Sequence, residues 1–233
     1  LEALQQNYGL GHRLFEMDFY LTSDKKLAAV HDWHQFGNKD DVALSSEEWK
    51  NFQAYGSPET PSRFTTMLIG DVLDQMVINS DMVLITDTKS MEIPKEDTIT
   101  QFEQIVTEAK NRDESLLDRV IPQIYNQEMY QEITSIYPFQ HIIYTLYASP
   151  DSAEEVLDFI SKHKEIEAVT ISFADPRFNQ DFIDAVHRLN KRIYVHTIHT
   201  YDDLTKYANV NVDGFYTGLL TPRDVALYES VSK

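Results

Sequence analysis

The sequence predicts a TIM-type (β/α)8 barrel, on three observations. Strand-like apolar runs alternate with helix-like stretches along almost the whole chain, which implies a parallel sheet covered by helices. No strand is followed by a glycine-rich phosphate loop, which argues against the alternative, a doubly wound open sheet. At 233 residues, with 42% hydrophobic and 12% aromatic content, the chain is long enough for one large domain spanning residues 1–233.

The elements follow in order. Residues 1–8 read as the end of a helix, stopped at Gly9 and Gly11. Residues 14–21 are rich in aromatic and apolar side chains and suit a buried strand. Ser23, Asp24, Lys25 and Lys26 are turn chemistry, and residues 27–30 form a short returning strand, an accessory to the barrel. Residues 33–63 interrupt the pattern as a small insertion with Trp33, Phe36, Trp49, Phe52 and Tyr55 interspersed. Ser45 opens a short helix there with Glu48 in capping-box position, and Pro58 and Pro61 close it. The insertion's aromatics either wall a pocket or pack the insertion onto the barrel.

From there the alternation is regular. Helices are expected at 66–77, 96–109, 127–135, 180–189 and 201–207, with others capped at Ser149 or Asp151 and beginning near Pro222. Strands are expected at 82–89, 119–125, 141–146, 168–172, 192–197 and 212–217. This makes seven strand–helix units plus one helix with no strand before it. Eight strands then require a first barrel strand upstream of Leu1, and the chain reads as incomplete.

Charge excludes some roles. With 20 basic and 38 acidic residues the formal net charge is −18, which argues against nucleic-acid binding and against attraction to an anionic membrane surface. A phosphate-bearing substrate is repelled at long range, so chemistry on it needs local positive charge. The absence of cysteine removes disulfides, thiolate nucleophiles and zinc–thiolate sites. No run approaches the roughly 20 apolar residues of a membrane span. Compartment stays open between cytoplasmic and extracellular, since an N-terminal signal or anchor could lie upstream. A homo-oligomer is also left open.

The chemistry concentrates on residues 14–32. Side chains alternate across a strand, so Glu16 and Asp18 share a side while Phe15, Met17 and Phe19 face the other. Two acids flanked by Phe and Met are costly to bury unpaired, and a hard cation with oxygen ligands removes that cost. The returning strand brings His31 and Asp32 back toward the level of the acids. His34, close by, reads as an ordinary loop residue.

Glu16-Met-Asp18, then Thr22-Ser-Asp24-Lys25, then Val30-His31-Asp32 resemble the motif of the glycerophosphodiester phosphodiesterase family: Glu-x-Asp, a Thr-x-Asp-Gly turn, and a strand ending His-Asp. Val212-Asp213-Gly214 resembles that family's last strand, so the likeness spans nearly the whole chain. Lys25 stands where the family has Gly. The family's upstream His-Arg pair is not matched by His12-Arg13, which lies immediately before the acid strand. The resemblance implies a divalent cation, Ca²⁺ or Mg²⁺, held by Glu16, Asp18 and Asp87. Lys89 would contact phosphate and His31 would act as general acid or base. Gln123 and His196 would be substrate-binding, with His196 replacing an aromatic residue of the family pattern. The implied reaction is hydrolysis of glycerophosphodiesters, small molecules of lipid metabolism, to glycerol 3-phosphate and an alcohol.

Two other classes fit the residues. One is a related phosphodiesterase, phospholipase C-like or sphingomyelinase D-like, differing in the alcohol pocket. The other is a non-catalytic barrel that binds phosphodiesters or a protein.

Overall fold

The computed structural model describes residues 1–34, 42–54, 62–207 and 210–231. Phe36, Tyr55, Pro58 and Pro61 of the insertion lie outside the described residues. The chain divides into two compact units, residues 1–121 with 132–139, and residues 122–131 with 140–233. No helix among the described residues is long and apolar enough to cross a membrane.

The first unit begins with α1 (Glu2–Gly9), β1 (Leu14–Leu21), β2 (Leu27–Ala29) and α2 (Ser46–Asn51). It continues with α3 (Ile69–Ile78), β3 (Val83–Asp87), α4 (Lys95–Arg112) and a 3₁₀ turn, Glu114–Arg119. Next come β4 (Val120–Ile124) and α5 (Gln127–Ile136), which have residues in each unit. The second unit adds β5 (Ile142–Thr145), α6 (Ala153–Lys162), β6 (Ile166–Ser172) and α7 (Gln180–Arg188). It ends with β7 (Arg192–His196), α8 (Tyr201–Tyr207), β8 (Gly214–Phe215) and α9 (Pro222–Val231).

Strands of the first unit lie in the order β2-β1-β3. β1 and β3 are parallel, and β2 pairs antiparallel with the far end of β1. In the second unit β4 to β8 lie in sequence order and all pair parallel. Most apolar side chains of the central strands are buried, among them Leu84, Ile85, Ile124, Ile143, Val169 and Val195. Phe102, Ile105 and Val106 recur at helical spacing on the buried face of α4, and Val72, Leu73 and Met76 do so on α3. Fully burying one such side chain contributes about 1.5–3 kcal/mol.

Several boundaries move from their expected places. α6 is capped by Ser152, not by Ser149 or Asp151, because Ser152 and Glu155 form a reciprocal capping box. Ser149 and Asp151 serve the preceding loop instead, where both accept or share hydrogen bonds with the Tyr144 hydroxyl. β3 stops at Asp87, and Lys89 turns into the left-handed region at φ 52°. β8 is reduced to two residues. At Gly214 a Cβ would come 2.9 Å from the Tyr194 ring, so glycine is required there by close approach. Asp213 ties the start of β8 to its neighbour by accepting from Ile193 N–H at 2.8 Å and pairing with His187 at 2.9 Å.

Among the described residues, the insertion packs onto the accessory strand. Trp33 and Trp49 cluster with Ala28 and Val30 of the accessory strand, their rings edge to face at 5.6 Å. Trp49 Nε1 donates to Met67 O at 3.0 Å, and Ala29 N–H donates to the same carbonyl at 2.9 Å. The turn between β1 and β2 anchors the outgoing leg. Asp24 accepts from Thr22 Oγ1 at 2.7 Å, Ser46 N–H at 2.7 Å and Ser46 Oγ at 2.6 Å. Lys25, where the resemblance expects glycine, holds φ 59°.

These anchors set an acid limit. The Ser46 hydroxyl, then Thr22 and the Ser46 amide, pull the Asp24 carboxyl from 3.8 to about 2. The Thr65 amide and hydroxyl pull Glu2 from 4.5 to about 2. A carboxyl with a depressed folded pKa stabilises above its ordinary pKa and loses that contribution as pH falls toward the folded value. The melting temperature is therefore expected to drop between about pH 4 and pH 2, and less steeply in Asp24→Asn, as followed by circular dichroism.

Candidate active site

Backbone register builds the acid cluster. In the parallel β1–β3 pair, Asp18 stands opposite Asp87 and Glu16 opposite Ile85. Alternation on β1 puts Glu16 on the same side as Asp18, two residues back. Carboxylate oxygens of Glu16, Asp18 and Asp87 all lie within 4.8 Å of one another. Among the described residues, this is the one group of three or more acidic or imidazole side chains so arranged. The donors are all carboxylate oxygens, the ligand chemistry of a hard divalent cation such as Ca²⁺ or Mg²⁺. The residues present fit that group.

Burial within the cluster is graded. Asp87 is buried, Asp18 is part-buried, and Glu16 keeps surface open to solvent. Loss of hydration, then the negative charges of Asp18 and Asp87, push the Glu16 pKa from 4.5 up to about 8, with Lys89 pulling it down. The open surface limits the hydration loss, but the neighbouring carboxylates alone require the upward direction.

Lys89 supplies the positive charge. Its Nζ lies 2.6 Å from Asp18 Oδ1 and 3.0 Å from Asp87 Oδ2. A strand running over the expected residues 82–89 would point Asp87 and Lys89 one way. The structure instead ends the strand at Asp87, and Lys89 curls back, its own N–H donating to Asp87 Oδ1 at 3.1 Å. The pair is not a surface salt bridge, since the side chains of Lys89 and Asp87 are only 9% and 7% exposed. Burial by itself pulls the Lys89 ammonium down, but the charges of Asp87 and Asp18 outweigh it and the net shift is upward.

His31 arrives by the accessory strand. Val30 N–H donates to Asp18 O at 3.1 Å, so His31 leaves β2 at the level of the acid pair. Its Nδ1 pairs with Asp32 Oδ2 at 2.7 Å. A carboxylate only accepts, so Nδ1 carries the proton and Nε2 is left for other chemistry. His34 sits exposed in the following turn, its Nδ1 3.0 Å from the other oxygen of Asp32.

Two further first-unit residues, Asp32 and Tyr20, take part without having been assigned a role from the sequence. Asp32 orients His31, and the signal was its adjacency in the His-Asp dipeptide. Tyr20 shares the Glu16 and Asp18 face, and its hydroxyl donates to Glu92 at 2.5 Å. Glu92 N–H in turn donates to Lys89 O at 2.8 Å, so Tyr20 clamps the turn that carries Lys89. The signal there was the period of two along β1. His12-Arg13 stays out of this cluster, with Arg13 bound to Asp81 at 2.6 Å beside the start of β1.

Within the second unit, Gln123 and His196 meet through tyrosines. Gln123 Oε1 accepts from the Tyr216 hydroxyl at 2.9 Å. The His196 ring lies 6.3 Å from the Tyr216 ring and 5.9 Å from Tyr147. His196 Nε2 is buried without a hydrogen-bond partner. Burial lowers the His196 pKa, against the charge of Asp175.

The raised Glu16 pKa has a measurable consequence. Between about pH 4.5 and pH 8 the folded state holds a proton that the unfolded state has lost. Stability therefore falls as pH rises through that window. Urea unfolding in chelator is expected to give a lower midpoint at pH 8 than at pH 5.5, and Glu16→Gln is expected to flatten the difference.

The chain matches the model of the glycerophosphoryl diester phosphodiesterase family over residues 1–218. Comparison with curated proteins finds no match. Solved structures resemble it throughout. A glycerophosphodiester phosphodiesterase from Parabacteroides distasonis aligns with TM-score 0.75 and 17% identity, over 99% of this chain and 89% of that one. One from Thermotoga maritima aligns with TM-score 0.70 and 15% identity, over 99% and 90%. A phosphodiesterase from Oleispira antarctica, solved with sn-glycerol-3-phosphate, gives TM-score 0.71 and 15% identity over 95% and 87%. At these identities the likeness carries the fold, a TIM-type (β/α)8 barrel. The family match covers most of the chain, and with it the chain belongs to the glycerophosphoryl diester phosphodiesterase family, whose members are phosphoric diester hydrolases.

Proposed function

We propose that this protein hydrolyses glycerophosphodiesters to sn-glycerol 3-phosphate and an alcohol, using a divalent cation at Glu16, Asp18 and Asp87. The observation that carries this reading is the convergence of those three carboxylates within 4.8 Å, with His31 returned to their level. Calcium and magnesium are the cations we assign, since both favour oxygen donors. When bound, such a cation offsets the negative charge that grows on the phosphate.

The chain's own residues do the rest. Glu16, Asp18 and Asp87 hold and orient the cation. Lys89 adds a positive contact to the phosphate. His31 moves a proton to or from a reacting oxygen at Nε2, with Asp32 fixing the ring through Nδ1 at 2.7 Å. In the overall reaction water adds to phosphorus, the phosphorus–oxygen bond to the alcohol breaks, and one proton passes to the leaving oxygen. Gln123 and His196 are the substrate contacts we assign at the ends of β4 and β7, where barrels of this type carry their chemistry.

The test is release of glycerol 3-phosphate from glycerophosphocholine and glycerophosphoethanolamine, with and without added Ca²⁺ or Mg²⁺. Release is expected only with cation and is expected to vanish in Asp87→Ala. His31→Ala should lower kcat by about 10²–10⁴-fold while calorimetry shows cation binding intact. Undiminished turnover in His31→Ala would remove His31 from the mechanism. Cation binding without release from either diester would move the assignment to another phosphodiester.

A further inference from the structure

We propose that Lys89 competes with the divalent cation for the carboxylates of its own site, so that cation loading displaces the lysine and frees it for the substrate's phosphate. The proposal rests on the cation-site reading above and deepens it.

The geometry is that of an internal stand-in. The Lys89 ammonium bridges two of the three carboxylates, at 2.6 Å from Asp18 Oδ1 and 3.0 Å from Asp87 Oδ2. Lys89 engages both oxygens of Asp87, one through Nζ and one through its backbone N–H at 3.1 Å. Only 9% of its side chain is exposed, so the charge is spent on the carboxylates rather than offered to solvent. A divalent ion drawing on the same oxygens would stand within a few ångströms of that ammonium. Two positive centres at that separation, in a partly buried site, repel strongly. One of them must leave, and the lysine is the one on a flexible stem.

The fold favours such an exchange. β3 ends at Asp87, and the left-handed backbone at Lys89, φ 52°, aims the side chain back at the strand end. The turn itself is held independently, by Glu92 N–H to Lys89 O at 2.8 Å and by Tyr20 to Glu92 at 2.5 Å. The side chain can therefore move while its backbone stays. Without cation, the lysine neutralises part of a cluster of three acids and keeps the site closed to phosphate. With cation, the same lysine becomes the second positive contact. By linkage, cation and phosphate then strengthen each other's binding.

Two measurements on the whole chain test this. The first labels surface amines with acetic anhydride and reads Lys89 by mass spectrometry, with Ca²⁺ or Mg²⁺ as the only addition. Lys89 is expected to be protected without cation and labelled at saturating cation, and to stay protected at the same cation level in Glu16→Gln, which weakens the site. The second measures cation affinity by calorimetry. Lys89→Met is expected to bind cation about tenfold or more tightly than the unaltered chain. Lys25→Met, which removes the same charge from an exposed pair with Asp97, is expected to leave affinity within about twofold. Should Lys89→Met fail to fold, the labelling experiment stands alone. Cation binding with Lys89 still protected overturns the exchange but leaves the site reading intact. No cation binding by the unaltered chain overturns the site reading itself.

Discussion

The parallel pairing of β1 with β3 is the constraint on which the rest depends. It sets Asp18 directly opposite Asp87 and so brings two negative charges together at the end of a buried sheet. Such an arrangement persists only with positive charge nearby. Lys89 provides it, and nearly every polar feature around the site follows from holding that lysine in place. The strand stops at Asp87, the backbone turns left-handed, and Tyr20 and Glu92 clamp the turn. Glu16, farther back on the same face and more open to water, carries the remaining imbalance as a raised pKa.

A second consequence concerns how the imidazole is delivered. β2 is only three residues long, and its antiparallel pairing covers just the far end of β1. It is held less by its own ladder than by what packs on it: Trp33, Trp49 and the 2.9 Å bond from Ala29 to Met67. The insertion that looked like an interruption is thus a brace for the strand that carries His31. Its described aromatic residues, Trp33, Trp49 and Phe52, all belong to that packing. Asp24, gripping Ser46 from the β1–β2 turn, ties the brace to the hairpin at its other end.

The second unit shows a different balance. Several of its polar side chains pair with one another, Tyr216 with Gln123, Tyr147 with Tyr125 and Thr170 with Thr145. His196 differs, with one ring nitrogen buried and unpartnered. A buried polar atom without a partner costs about 1–3 kcal/mol.

Period and punctuation in the sequence were enough for the alternation of strands and helices, the strand over residues 14–21 and the shared face of Glu16 and Asp18. These are local properties, carried by side-chain spacing along one element. The Glu-x-Asp, His-Asp and Val-Asp-Gly patterns carried the family for the same reason. What spacing could not decide was contact between segments far apart in the chain. Asp87 joins Asp18 across 69 residues because a parallel register chooses it. Lys89 binds acids rather than standing beside them because the strand ends at Asp87, two residues short of Lys89. The last strand shortens to two residues, and Ser152 caps α6, because neighbours and caps outweigh local propensity. Residue types and their order along each element belonged to the sequence alone. Register, burial and the choice of ionic partner arose only in the tertiary structure, since each depends on the distance between atoms that the chain's linear order leaves free.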